Sequence, residues 1–171
     1  ATFGRLPDQL FERCLRLYRE VLSSIRIVFQ PVVTIGESAG QVGVHSYEAL
    51  ARHSLADQSA PFALLQLAHT WGNHFVVERD KIILGKALTS YTLAHANSAW
   101  NGDVPKPVSV NVSVRSLLDD TYVETLRQLI DELQLHPNAV TLEISEQDAI
   151  EPWAGEQWGE APLTYFNRRL A

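Results

Sequence analysis

This chain has no methionine, only one cysteine and no apolar run long enough to cross a bilayer. Each absence narrows the field. A lone Cys14 forms no internal disulfide and fits a reducing compartment, where its plain role is that of a small helix-face hydrophobe. Any membrane attachment is expected outside these residues, and the first residues lack the basic head and apolar core of a secretory leader. The formal charge is −6, so the basic footprint by which DNA or RNA polymers are held is missing. No Gly-rich phosphate loop follows a strand, and no Gly-x-Ser-x-Gly elbow supports acyl transfer. The six histidines make no metal spacing, with His69 and His74 outside any HExxH pattern. The missing methionine and the start at Ala1 are what a chain trimmed from a longer one is expected to show.

What is present suits one globular domain. The 171 residues are 46% hydrophobic and 20% charged, enough for a sizeable core but short for two domains. After Pro7 and Asp8, Leu10, Cys14, Leu17 and Val21 make an apolar stripe, flanked by Phe11, Leu15, Tyr18 and Leu22. This helix is expected to pack on the domain or to pair with a partner's helix, and residues 1–25 are set apart as an N-terminal linker ahead of a domain over 26–171. Residues 25–35 are β-branched, as a buried strand requires, with Pro31 marking a strand edge or a break. Gly36, Gly40 and Gly43 mark a turn, and residues 42–52 return as the second arm of a hairpin. On that arm Val42, Val44 and Ser46 are expected to share a face with Glu48.

Helices are expected over residues 61–69, after Pro61, and 77–100, the latter with the stripe Ile83, Ala87, Tyr91 and Ala94. Val108, Val110, Val112 and Val114 alternate with Ser109, Asn111 and Ser113, the clearest period of two in the chain. Leu118, Tyr122, Leu126, Leu129 and Leu133 then make a helix that His136 and Pro137 end. Val140, Leu142 and Ile144 alternate with Thr141, Glu143 and Ser145 as a further strand, and Leu163 to Leu170 carries a short helix signal. Strands alternating with helices predict a parallel sheet. Closed as a barrel, such a sheet turns its Val rows to the outer helices, and its chemistry gathers at the C-terminal strand ends. Glu48, Asn111 and Glu143 would then converge.

Two carboxylates and an amide oxygen are hard donors, which suit Mg²⁺ or Mn²⁺ and not structural zinc. Such an ion binds phosphate oxygens and acidifies a bound water. Arg52, read as one helical turn beyond Glu48, offers a fork-shaped donor to a phosphate. Taken singly, each residue also has a plain reading: a surface salt bridge for Arg52, a strand-end hydrogen bond for Asn111, solvated strand tips for the acids.

Four motifs in order resemble the EAL family, bacterial phosphodiesterases that hydrolyse cyclic di-GMP. Glu48-Ala49-Leu50 is the signature triplet, with Arg52 two places on. Phe29-Gln30-Pro31-Val32 is similar to the family's Gln-Pro-Ile strand, and Val110-Asn111-Val112-Ser113 to its Val-Asn-Leu-Ser strand. Leu142-Glu143-Ile144-Ser145-Glu146 is similar to its Leu-Glu-Ile-Thr-Glu strand. The resemblance implies a (β/α)₈ TIM-barrel-like fold, present here as an incomplete barrel. It implies that Glu48, Asn111 and Glu143 hold Mg²⁺ or Mn²⁺, with Glu48 catalytic, that Arg52 contacts the ligand's phosphate, and that Gln30 lines the nucleotide pocket. It also implies cyclic di-GMP as partner and a cytoplasmic location. Strand parity favours Glu143 over Glu146 as the ligand in the last motif.

The departures from the family are specific. Its Asp-Asp-Phe-Gly strand, the lysine after it and the further glutamates are not found, and Asp119-Asp120 is no substitute because Thr121-Tyr122 follows and the pair opens a helix. The chain is therefore expected not to turn over its substrate alone. The alternative is a degenerate EAL module that binds cyclic di-GMP or a protein partner without hydrolysis. A barrel of this type needs about 250 residues, so an open sheet edge is expected, and with it pairing of two copies as a homodimer.

Overall fold

Alternating β-branched residues form a four-stranded sheet in the order β1-β2-β3-β4. The computed structural model describes residues 7–36, 42–54, 56–97, 105–144, 150, 152 and 156–170. Strand β1 (Arg26–Ile35) and β2 (Val42–Arg52) pair antiparallel, whereas β2 with β3 (Val108–Val112) and β3 with β4 (Val140–Ile144) pair parallel. The hairpin followed by parallel βα units is an open section of a barrel-type α/β fold. Pro31 lies within β1 without breaking it, because β1 is an edge strand and a missing donor costs least there.

The helices cover one face of the sheet. α2 (Phe62–Trp71) and α3 (Asn73–Ala96) are divided at Gly72, whose φ of 107° lies in the region that only glycine enters freely. α3 therefore starts earlier than the stripe suggests. It is the central helix, buried at Phe75, Val76, Leu84, Ala87 and Leu88 and packed on α1 (Asp8–Ser24), α5 (Asp120–Glu132) and β3. The strand expected to reach Val114 stops at Val112. Ser113 instead caps the short α4 (Val114–Leu117), its side chain accepting from Ser116 N–H.

The first helix forms as its spacing predicts, but it turns the other stripe inward. Leu15, Tyr18 and Leu22 are buried against the core, while Leu10, Leu17 and Val21 are 45%, 48% and 50% exposed. Tyr18 donates its hydroxyl to Leu64 O at 3.0 Å, and Arg19 pairs with Glu78 of α3 at 2.8 Å. Near the C-terminus, α6 (Pro162–Leu170) is held by Tyr165, which stacks on Trp158 at 4.5 Å between ring centres. The buried Arg115 of α4 reaches this segment through Glu156 at 2.6 Å.

Candidate functional site

Cα partners across a ladder point their side chains to the same face, so the register decides which candidates meet. Gln30 lies opposite Glu48, Glu48 lies beside Ser109, and Asn111 lies beside Glu143. Since Ser109 and Asn111 are two apart on β3, all four candidates share one face in a row roughly 14 Å wide, three strand spacings. The opposite face carries Ala49, Val108, Val110 and Val112, all buried. The polar row is open by comparison: Gln30, Asn111 and Glu143 are exposed and Glu48 half-buried.

Glu48 and Asn111 touch. Asn111 Nδ2 donates to Glu48 Oε1 at 3.0 Å, reaching diagonally across the β2–β3 ladder toward the C-terminal end of β3. The amide nitrogen is thereby engaged by a carboxylate, and a cation shared by the two residues would take the amide through Oδ1. Hard oxygen donors of this kind fit Mg²⁺ or Mn²⁺. Among the described residues no group of three or more His, Cys, Asp or Glu clusters closely enough to hold a metal. The alternative ligand Glu146 lies outside the described residues.

Two expectations about β2 are corrected. The β1–β2 register slips between Val32 and Val33, which pair with Ser46 and Val44 and leave His45 without a ladder partner. Such a bulge inverts the alternation beyond it, so Ser46 stays on the face of Glu48 while Val42 and Val44 go to the other. Arg52 is likewise not one helical turn from Glu48. Both are on a strand, four residues apart, about 13 Å at the usual rise. Two alternations return Arg52 to Glu48's face, and its Nη1 donates to Ala51 O at 2.8 Å.

Behind the row lies a buried polar cluster that periodicity does not predict. Asp80, 3% exposed on α3, accepts on Oδ2 from Ser113 N–H at 3.0 Å, Ser113 Oγ at 2.8 Å and Ser116 Oγ at 2.7 Å. Its Oδ1 accepts from Arg79 Nε at 2.7 Å. Arg79 Nη1 continues to Leu65 O at 3.1 Å and His69 Nε2 at 3.0 Å on α2. Beside the cluster, burial, aided by the charge of Asp80, pushes the Tyr122 phenol above its ordinary range. The one signal in sequence is an Arg-Asp pair inside an apolar helix, which burial makes costly unless both charges are partnered.

The chain is similar in structure to the FimX EAL domain of Xanthomonas citri in complex with c-diGMP, with a TM-score of 0.59 at 17% identity over 82% of this chain. The FimX EAL domain from Pseudomonas aeruginosa bound to c-di-GMP gives 0.57 at 19% identity over 93% of this chain. The cAMP-bound form of the EAL enzyme Bd1971 gives 0.62 at 17% identity over 95% of this chain. This chain spans 53%, 54% and 42% of those three chains, and identities this low carry the fold alone. No curated protein matches it. The EAL domain model matches residues 16–158, most of the length, and the chain belongs to the EAL domain family.

Proposed function

We propose that Gln30, Glu48, Arg52, Asn111 and Glu143 form one rim of a cyclic di-GMP phosphodiesterase site. In this reading Glu48, Asn111 and Glu143 hold Mg²⁺ or Mn²⁺ through oxygen atoms. Arg52 gives a forked pair of N–H donors to the phosphodiester, and Gln30 lines the nucleotide pocket one strand away. When bound, the ion polarises a phosphate oxygen and acidifies water. Glu48 and Glu143 supply the negative charge that retains it, and Asn111 adds a neutral donor between them. The observation that carries the reading is the Asn111–Glu48 hydrogen bond of 3.0 Å, which joins two of the motifs on the open face. Cyclic di-GMP bound by structurally similar EAL domains supports the choice of nucleotide. In this reading the chain works in the cytoplasm, and among the described residues no helix is long and apolar enough to cross a membrane.

Hydrolysis is a separate matter. A two-metal displacement needs carboxylates on both ions, and the described residues bring only Glu48 and Glu143 to this face. The chain by itself is therefore proposed to bind without sustained turnover. Calorimetry with cyclic di-GMP and Mn²⁺ tests the first part: binding lost in Glu48→Gln and Asn111→Ala is the expected result, and absence of binding by the wild-type chain overturns it. Multiple turnovers in a hydrolysis assay with this chain overturn the second part.

A further inference from the structure

We propose that Asp80 is a positioning residue for Asn111, acting through the β3–α4 turn. The inference rests on the role proposed for Asn111 above. Asn111 is exposed, so apolar packing does not orient it, and its direction follows from how β3 ends. That end is gripped from α3. Three donors of the turn, the Ser113 amide, the Ser113 hydroxyl and the Ser116 hydroxyl, converge on a single carboxylate oxygen of Asp80. Ser113 is two residues beyond Asn111, so fixing its N–H and its side chain together fixes the last step of the strand and the face to which Asn111 is presented.

Stability alone does not account for this cluster. A buried ion pair contributes little compared with apolar residues of the same volume, because desolvation offsets the attraction. A carboxylate that takes four donors from two elements does define geometry narrowly. Asp80 is also tethered at its other oxygen by Arg79, whose guanidinium only donates, so that Leu65 O and His69 Nε2 accept from it. The end of β3 is thereby referred to both α3 and α2. The arrangement has the character of the outer hydrogen bonds that orient metal ligands, whose loss typically weakens metal binding about 10–100-fold.

The test reads the Asn111 side-chain amide by ¹⁵N correlation NMR on the whole chain, assigned by its disappearance in Asn111→Asp. Glu48→Ala supplies the reference shifts for an Asn111 freed from Glu48. In Asp80→Asn, and in the milder Ser116→Ala should the first not fold, the Asn111 signals are expected to move most of the way to that reference. Leu88→Val, which loosens α3 packing two helical turns beyond Asp80, is expected to leave them in place. Mn²⁺ affinity is expected to fall roughly tenfold or more in the same two variants. Unchanged Asn111 shifts in the folded variants overturn the proposal, as does equal movement in Leu88→Val. Should the wild-type chain not bind Mn²⁺, the reading of the site fails, while the amide shifts still decide the positioning.

Discussion

Asn111 Nδ2 reaches Glu48 Oε1 at 3.0 Å although the register sets Glu48 beside Ser109 and not beside Asn111. The contact is diagonal, made on the open face, and exchanges readily with water, so its net worth to folding is small. Glu48→Ala is expected to change unfolding free energy by no more than about 0.5 kcal/mol in urea titrations. The same substitution is expected to abolish Mn²⁺ binding. A loss of ~2 kcal/mol or more would make the pair a structural clamp and not a ligand set.

The polar row was legible because a period of two fixes a face. Ser109 and Asn111 on β3, and Thr141 and Glu143 on β4, follow from alternation alone, and parallel pairing then brings Asn111 beside Glu143. The failures share a physical origin. Alternation on β2 cannot reveal the bulge at His45, since an unpaired residue is a property of two strands together. Nor can one helix reveal which of two adjacent stripes meets a partner. Asp80 was invisible for a further reason: a charge inside an apolar helix is explained only by donors that arrive from Ser113 and Ser116, 33 and 36 residues later.

The two stripes of α1 give a direct comparison. Leu22 is fully buried and Leu17 is 48% exposed, although both sit at helical spacing in apolar runs. Leu22→Ala removes packed methyl groups and leaves a cavity, and is expected to cost about 2–5 kcal/mol. Leu17→Ala, being largely solvated, is expected to stay within ~0.5 kcal/mol. Chemical denaturation of the two variants checks this, and comparable losses would put the Leu10, Cys14, Leu17 and Val21 face in an interface.

Tyr122 is fully buried in the core beside Asp80, and its hydroxyl has no hydrogen-bond partner among the described residues. A buried, unpartnered hydroxyl forfeits its bonds to water, at a cost of roughly 1–3 kcal/mol. Tyr122→Phe keeps the ring and deletes the oxygen. It is expected to be neutral or to stabilise by about 1 kcal/mol, read as a higher urea midpoint at unchanged slope. Destabilisation would mean that the hydroxyl has found a bond.

Glu78 links α3 to α1, and its behaviour with pH has a definite sign. Burial pushes its carboxyl up, but hydrogen bonds and charge from Arg19 and Lys81 outweigh this and hold it below the ordinary 4.5. A carboxyl with a lowered folded pKa adds stability above its unfolded pKa, and that stability is lost as pH falls through the folded value. Arg19 is half exposed, so solvent screening limits the pair to ~0.5 kcal/mol. Wild type is therefore expected to exceed Glu78→Gln by about that amount at neutral pH. The difference should begin to close as pH drops below 4.5 and vanish under the lowered folded value. A gap that persists in acid would assign the effect to packing of the Glu78 stem and not to its charge.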